Sequence, residues 1–592
     1  MRPSQRAAEV LAHPRWPWVA AVLGVLLAST ALGSGLVLDD HLHRFVVQEH
    51  LAGGGSGAWW DLYVAAEGDE ALTRARMNHG FAPWWTAPDL RVRFFRPLSA
   101  ATHYLDYVLW PDVPALMHAH SLAWYAALVL AVGAVMRRWL GPCWVAGLAT
   151  LVFAVDDAHG TPVGWIAQRN ALIGATLVVC TLWVHDRARR DDWRPGVWLG
   201  PALWGLALLA GEASVAGLGY LLAHALLLEP GDEPWRRRTA RGLGALWPYL
   251  LVMLLWRVLY DALGYGAEGS GVYLDPVREP GVFWAALPER AVALLLAQLG
   301  GPPAETWSEE SVLGGMRWWW WVALSGLGLV LAFGLRRDRG LGVCLLGGLL
   351  ALVPATTAVP GDRLLLLVGV GGSAIVAGVV AVAAGAGAAS SGEPRWSRGF
   401  AVLLSIPLVG WHLGRAAWLL PGRVASLDER IERPQREAVR SLPDDPALTT
   451  QELVIVNSPP TFVSSTLWLW RWGSEHALPR RLRVLGSTFG PVVVQRPDAH
   501  TLVLQPVGGY LSDPFTTIAR GRGRPLAVGN AVALDGWRVG IAGVAQGRPT
   551  VVRIAFDEPL DDPLFRWVTW RGGRFEPFVL PPIGGVVAIP GS

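Results

Sequence analysis

The chain has 592 residues, 52% hydrophobic and only 16% charged, with a mean hydropathy of +0.34. That balance excludes disorder for most of the chain, and it does not suit a single soluble core of this size. The formal net charge of +3 makes no case for nucleic acid, and every basic residue is arginine, so a lysine nucleophile or Schiff base is excluded.

Repeated apolar runs of about 20 residues read as membrane spans. The first, 17–38, follows Arg2, Arg6 and Arg15, which place the N-terminus in the cytoplasm. Further spans are expected at 114–136, 141–156, 163–185, 196–211, 213–229, 241–263, 317–335, 340–356, 363–387 and 398–420, about eleven in all. Alternation then puts Arg137 and Arg138, the arginines of 187–194, and Arg236, Arg237, Arg238 and Arg241 on the cytoplasmic side, as the positive-inside rule requires. The piece 284–300 is short and flanked by proline, and is expected to be interfacial or re-entrant. Counted as a span, it would carry Arg336, Arg337 and Arg339 outside. Tryptophans near the ends of runs, among them Trp16, Trp18, Trp84, Trp85 and those of 318–321, suit an interfacial belt. Cys143, Cys180 and Cys344 lie in apolar runs and read as small buried hydrophobes.

Three units follow: a membrane domain, 1–420, with a large first outer loop at 39–113; a linker, 421–450, with a helix at 427–440; and an extracytoplasmic, sandwich-like β domain, 451–592. Short β-branched runs at 452–457, 481–485, 491–495, 501–505, 551–556 and 585–589, punctuated by Gly, Pro and Asp, predict antiparallel strands. Within the first loop, 94–110 has apolar residues at helical spacing. It predicts an amphipathic helix on the bilayer surface, a natural lid.

Ionisable residues gather at outer span ends. They are Asp39 and Asp40 after the first span, Asp156, Asp157 and His159 after the third, Arg169 in the fourth, Glu212 between the fifth and sixth, and Asp362 and Arg363 opening the span at 363–387. Such groups are costly near lipid and usually face a protein interior or a cavity. Read singly they are solvated helix ends; as a set they predict one outward polar cavity.

Five segments carry a family resemblance. They are VLDDHLH (37–43), FRPLSAATHYLDYVLW (95–110) with MHAHSL (117–122), FAVDDAHGTPVGWIAQRNAL (153–172), LALLAGEASV (206–215) and PGDRLLLLVGVGG (360–372). Together they resemble the GT-C glycosyltransferases that use polyprenyl-phosphate sugars, closest to the protein O-mannosyltransferase branch with transmembrane and tetratricopeptide segments. The departures are specific. Asp156 and Asp157 stand where the family has His-Pro, Thr161 where it has glutamate, Gly211 where it has lysine, and leucines where aromatic residues follow Arg363. No tetratricopeptide array is visible.

The resemblance implies a GT-C-like helical membrane fold and transfer of a sugar from a polyprenyl-phosphate donor to an acceptor hydroxyl on the extracytoplasmic side. The acceptor would be a protein, lipid or glycan, and the location an inner membrane of bacterial type. By the resemblance the general base is Asp40 or its neighbour Asp39, and the donor phosphate meets Arg363, then Arg169. Asp156, Asp157, His159, Glu212 and Arg96 support the site. A carboxylate within reach can take the acceptor proton, and guanidinium suits a leaving phosphate. Arg169 has a second reading, a buried ion pair with Asp157 or Glu212. Asp40, Asp157 and His159 are candidate ligands for a divalent cation, Mg or Mn. His118 and His120 read as interfacial packing. A transporter or flippase of a lipid-linked saccharide, or a degenerate relative that binds glycan or lipid without transfer, would fit the same composition.

Overall fold

A computed structural model describes residues 3–54, 57–306, 338–385, 395–459, 461–474, 476–521 and 523–591, together with 325 and 328. The expected span at 317–335, apart from 325 and 328, the tryptophans of 318–321, and Arg336 and Arg337 lie outside the described residues. Among the described residues seven helices are long and apolar enough to cross a membrane: Trp16–Gly33, Pro114–Trp139, Ile166–Arg190, Trp235–Ala262, Pro280–Gln298, Leu366–Ala383 and Arg398–Arg440. Four shorter apolar helices, Trp144–Ala154, Gly196–Ala210, Glu212–Leu227 and Arg339–Ala355, pack among them. The chain is a polytopic helical membrane protein with a C-terminal β-sheet region.

Local signals explain where these helices begin and end. Pro17, Pro114, Pro248 and Pro280 stand in first turns, where a missing N–H costs nothing. Arg137 and Arg138 close one helix, and Arg187, Arg189 and Arg190 another, where cations meet the negative end of the helix dipole. The membrane core is one cluster running from Ala20 through Val132, Phe153, Leu182, Trp204, Tyr220 and Val376 to Val424.

Two segments differ from expectation. Residues 280–298 form an unbroken helix of 19 residues, not a short interfacial piece. Its arginine is accommodated because Arg290 Nη1 donates to the Thr356 carbonyl at 3.0 Å. The final span does not stop at the linker. It continues as one helical rod from Arg398 to Arg440, widened into π turns at Gly410–Arg415 and Asp428–Glu432. The amphipathic helix of the first loop forms at Pro97–Leu109. It turns Leu105, Val108 and Leu109 outward and buries Ser99, His103, Asp106 and Tyr107.

Three short strands tie the outer loops together: β1 (Val64–Glu67), β2 (Arg91–Arg93) and β3 (Gly266–Glu268), in that order. The C-terminal region holds β4 (Glu452–Ile455), β5 (Arg481–Val484), β6 (Val492–Gln495), β7 (Thr501–Pro506), β8 (Ala531–Leu534), β9 (Trp537–Ala545), β10 (Arg548–Phe556), β11 (Phe565–Arg571), β12 (Arg574–Pro577) and β13 (Val586–Ile589). Six of them make an antiparallel sheet, β13-β6-β7-β10-β9-β8. The other four make a mixed sheet, β12-β11-β4-β5, in which β4 runs parallel to both neighbours. The helix Thr461–Trp472 is the crossover from β4 to β5 that a parallel pair requires.

The two sheets share a core of Val454, Val456, Val494, Leu504, Val539, Val552 and Ile554. Met77, Trp84 and Trp85 of the first outer loop insert into that same core. Trp84 Nε1 donates to the Leu485 carbonyl at 3.0 Å, and the Ala87 N–H donates to the Ala519 carbonyl at 2.8 Å. The other face of the mixed sheet packs Leu453, Ile455 and Leu482 against Val439 and Leu442, at the end of the rod. The C-terminal region therefore grips the first loop rather than hanging free.

Candidate active site

The acidic pair opens the helix Asp39–Leu51 immediately after a strained residue. Leu38 has φ 57° and ψ −117°, a conformation that a branched side chain occupies at a cost of about 1–3 kcal/mol. The turn it makes sends the two carboxylates to different places. Asp40 is fully buried. Its Oδ2 accepts from the Val37 N–H at 2.9 Å and its Oδ1 from the Ala167 N–H at 2.7 Å, while Tyr107 donates to its carbonyl at 3.0 Å. Asp40 is thus a clamp joining the first loop to the segment after Trp165, whose Nε1 donates to the Val37 carbonyl at 3.1 Å.

Asp39 is exposed, and its side chain makes no hydrogen bond or ion pair among the described residues. Surrounding protein desolvates it and raises its carboxyl above the ordinary range, with Arg363 and then Arg96 pulling the other way. Asp39 therefore stands in the field of both guanidinium groups. Arg363, half-buried, likewise has no ion pair or hydrogen bond among the described residues. Arg96 is held from below. Glu212 Oε2 accepts from Arg96 Nε at 2.8 Å and Oε1 from the Phe95 N–H at 3.1 Å, and the guanidinium lies over the rings of Phe94 and Tyr63, 4.5 and 4.8 Å from their centres. Tyr63 donates to the Ala167 carbonyl at 3.3 Å and meets His103 Nε2 at 2.9 Å.

Arg169 is elsewhere. It is fully buried, 2.5 Å from Asp106 Oδ2, and donates to Ser121 Oγ at 3.0 Å and to the Met117 carbonyl at 2.7 Å. Its guanidinium is engaged by these partners and by no free anion site among the described residues. Of its two expected readings the buried ion pair is the one formed, but with Asp106 in place of Asp157 or Glu212. His120 completes that group, 2.7 Å from Asp106 Oδ1, and His118 Nε2 meets the Gly35 carbonyl at 3.2 Å.

A second polar group lies where the rod passes the segment after the third span. A Cβ on Gly160 or Gly164 would fall 2.6 Å from Arg423 Cβ or 2.1 Å from the Val424 carbonyl oxygen, so only glycine lets the two chains meet there. The contact sets Arg423 Nε 2.9 Å from Asp157 Oδ2 and pairs Arg423 with Asp362 as well. Asp362 Oδ1 accepts from the Ala304 N–H at 2.8 Å, and Glu305 accepts from the Asp362 N–H at 2.8 Å. Arg415 stands 3.9 Å from Asp157. Burial raises Asp157 to about 6, against the pull of Arg423. Asp156 turns inward, capping the Ala158 N–H at 3.0 Å and accepting from Gln298 Nε2 at 3.3 Å.

The expected metal ligands do not fit a divalent ion. Asp40 is buried with a backbone N–H on each oxygen, Asp157 is engaged by Arg423, and His159 is fully buried against Tyr125, with Nδ1 3.2 Å from its hydroxyl. Among the described residues no three His, Cys, Asp or Glu side chains stand close enough to share an ion.

The structure thus brings Asp39, Arg363, Arg96 and Glu212 into one neighbourhood. Arg363 adjoins Asp362, whose partner Arg423 carries Asp157. Asp40 underlies this group as a clamp, and Arg169, Asp156 and His159 are structural neighbours of it. Tyr63, Asp106, Glu305, Arg415 and Arg423 were not nominated by sequence. Arg415 sits on a run that reads only as the end of a span and Arg423 on the linker after it, and their spacing carries no local signal.

No protein-family model matches the chain, and no curated protein matches it. Several solved structures resemble it. One is an oligosaccharyltransferase from Archaeoglobus fulgidus tethered to an acceptor peptide, at 11% identity and TM-score 0.43, covering 80% of this chain and 64% of that one. Others are ArnT from Cupriavidus metallidurans in the apo state (15%, 0.37, covering 78% and 85%) and the mycobacterial arabinofuranosyltransferase AftD (16%, 0.36, covering 92% and 40%). The chain spans 64% of the length of the archaeal enzyme and 40% of the mycobacterial one. At TM-scores below 0.5 these likenesses carry no argument about what this chain does.

Proposed function

We propose that the chain is a membrane glycosyltransferase that moves a sugar from a polyprenyl-phosphate donor to an acceptor hydroxyl, at the ends of the spans that carry Asp39 and Arg363. The observation that carries this reading is an exposed, unpaired carboxylate standing in the field of an unpaired guanidinium, among described residues whose neighbouring charges are otherwise engaged. Asp39 takes the proton of the acceptor hydroxyl as its oxygen attacks the anomeric carbon. The bond from that carbon to the phosphate oxygen breaks, and polyprenyl phosphate leaves with the electron pair. Arg363 stabilises the departing phosphate, with Arg96 beside it. One carboxylate suffices for direct displacement with inversion, and no covalent intermediate is needed. The motif resemblance to polyprenyl-phosphate enzymes supports the donor class. The outward apolar face of Pro97–Leu109 supports a site next to lipid.

The test separates neighbouring aspartates in proteoliposomes supplied with radiolabelled polyprenyl-phosphate hexoses. Asp39→Asn is expected to lower transfer by about 10²–10⁴-fold without lowering the melting temperature. Asp40→Asn replaces one carboxylate oxygen with an amide and leaves a buried N–H without its acceptor. It is expected to destabilise the fold by about 1–3 kcal/mol. Full turnover by a folded Asp39→Asn variant would remove the proposed base.

A further inference from the structure

Beneath the second polar group, buried acceptors lack donors. Tyr125 donates its single hydroxyl proton to the Ala154 carbonyl at 2.8 Å. Its contact of 3.2 Å with His159 Nδ1 therefore requires His159 to carry its proton on Nδ1. His159 Nε2 is then a bare lone pair, fully buried, with no partner among the described residues. The same logic applies to Gln298, 4% exposed. Its amide nitrogen faces the Asp156 carboxylate, so Oε1 is an acceptor, and it too has no partner among the described residues. Both atoms border Gly369: a Cβ built there would lie 3.4 Å from Gln298 Oε1, 3.6 Å from His159 Nε2 and 3.7 Å from Phe153 Cε2.

Two acceptors bordering one glycine call for a small ligand with two donors. A metal ion does not suit a neutral pair of one imidazole and one amide oxygen, and no three His, Cys, Asp or Glu side chains approach one point among the described residues. A hydroxyl of a larger solute does not suit either, since His159 and Gln298 are closed off from solvent. We propose that an internal water binds against Gly369 and donates its two hydrogens to His159 Nε2 and Gln298 Oε1. It would fix the Gln298 amide and, through it, the Asp156 carboxylate beside the Asp157–Arg423 pair. A water in such a place typically makes about three hydrogen bonds, and displacing it leaves buried acceptors unpaired.

The sign of one substitution tests this. A methyl at Gly369 makes only ordinary contacts, so on space alone Gly369→Ala should raise the melting temperature, as alanine usually does in a helix. If a water is displaced, the melting temperature falls instead, by roughly 2 °C or more. Gly205→Ala is the control, because its Cβ would meet only Val252 Cγ1, at 3.4 Å. In a His159→Leu background one acceptor is gone, and the penalty of Gly369→Ala should shrink towards that of the control. A rise with Gly369→Ala, or a penalty unchanged by His159→Leu, overturns the proposal. If His159→Leu does not fold, a density map of the protein in nanodiscs, fine enough to show ordered solvent, decides. A solvent peak within hydrogen-bond distance of both acceptors supports the site. No peak, or a peak with the anomalous signal of a metal, overturns it.

Discussion

Replacing Arg169 by glutamine separates a structural cation from a phosphate-binding one. The guanidinium is fully buried and spends its donors on Asp106, Ser121 and Met117. Glutamine leaves the Asp106 carboxylate in the same buried place with only His120 beside it. Removing one partner of a buried ion pair costs about 3–5 kcal/mol, most of it from the uncompensated charge that remains. The melting temperature in detergent or nanodiscs should fall by roughly 2–4 °C for a chain of this length. The protein that stays folded should keep an unchanged KM for the polyprenyl-phosphate donor. Asp106→Leu combined with Arg169→Leu removes both charges and should recover part of the loss, giving a coupling energy in a double-mutant cycle. A stable Arg169→Gln variant with a donor KM raised tenfold or more would refute the reasoning and return Arg169 to the donor phosphate.

Trp84→Ala should open the sandwich core, with a loss of about 3–5 kcal/mol. Limited proteolysis should then cut both the first loop and the C-terminal region; cleavage confined to the loop would contradict the shared core. Asp157 makes a pH prediction. Burial lifts its folded pKa to about 6, above the 3.8 of an ordinary aspartate, so the folded chain holds this proton more tightly between those two pH values. The stability it contributes is complete below pH 3.8 and is lost as pH rises through about 6. Asp157→Asn should therefore flatten the melting temperature across pH 4 to 6.5 relative to the parent chain, and an identical slope in both would count against the assignment.

Much of the architecture is legible in apolar run length, because lipid demands it of each span separately. The run at 114–136 becomes Pro114–Trp139 and the run at 363–387 contains Leu366–Ala383. The helix 280–298 reads from sequence as too short and proline-flanked to span, and its Arg290 is accommodated by a carbonyl 66 residues away that no local pattern announces. In the β region the β-branched runs coincide with β4, β5, β6, β7, β10 and β13. β9 is hidden by Gly540 and Gly543, and the parallel pairing of β4 is a long-range property that alternation cannot announce. At the site, the residue types were readable but their engagement was not. Asp39 and Asp40 are adjacent in sequence and differ only in which way a strained turn points them. Arg169 reads as a phosphate ligand or a buried ion pair, but its partner Asp106, 63 positions earlier, is legible only in three dimensions.

The insertion of Trp84 between the two sheets also constrains biosynthesis. The carbonyl that receives its indole belongs to a residue 401 positions further on. At translation rates of about 5–20 residues per second, roughly 20–80 s separate the emergence of the two. Through that interval the nascent first loop presents a pair of tryptophans with nowhere to dock. Either the bilayer or a holdase must shelter them, and the first loop reaches its final packing only when most of the polypeptide has been made.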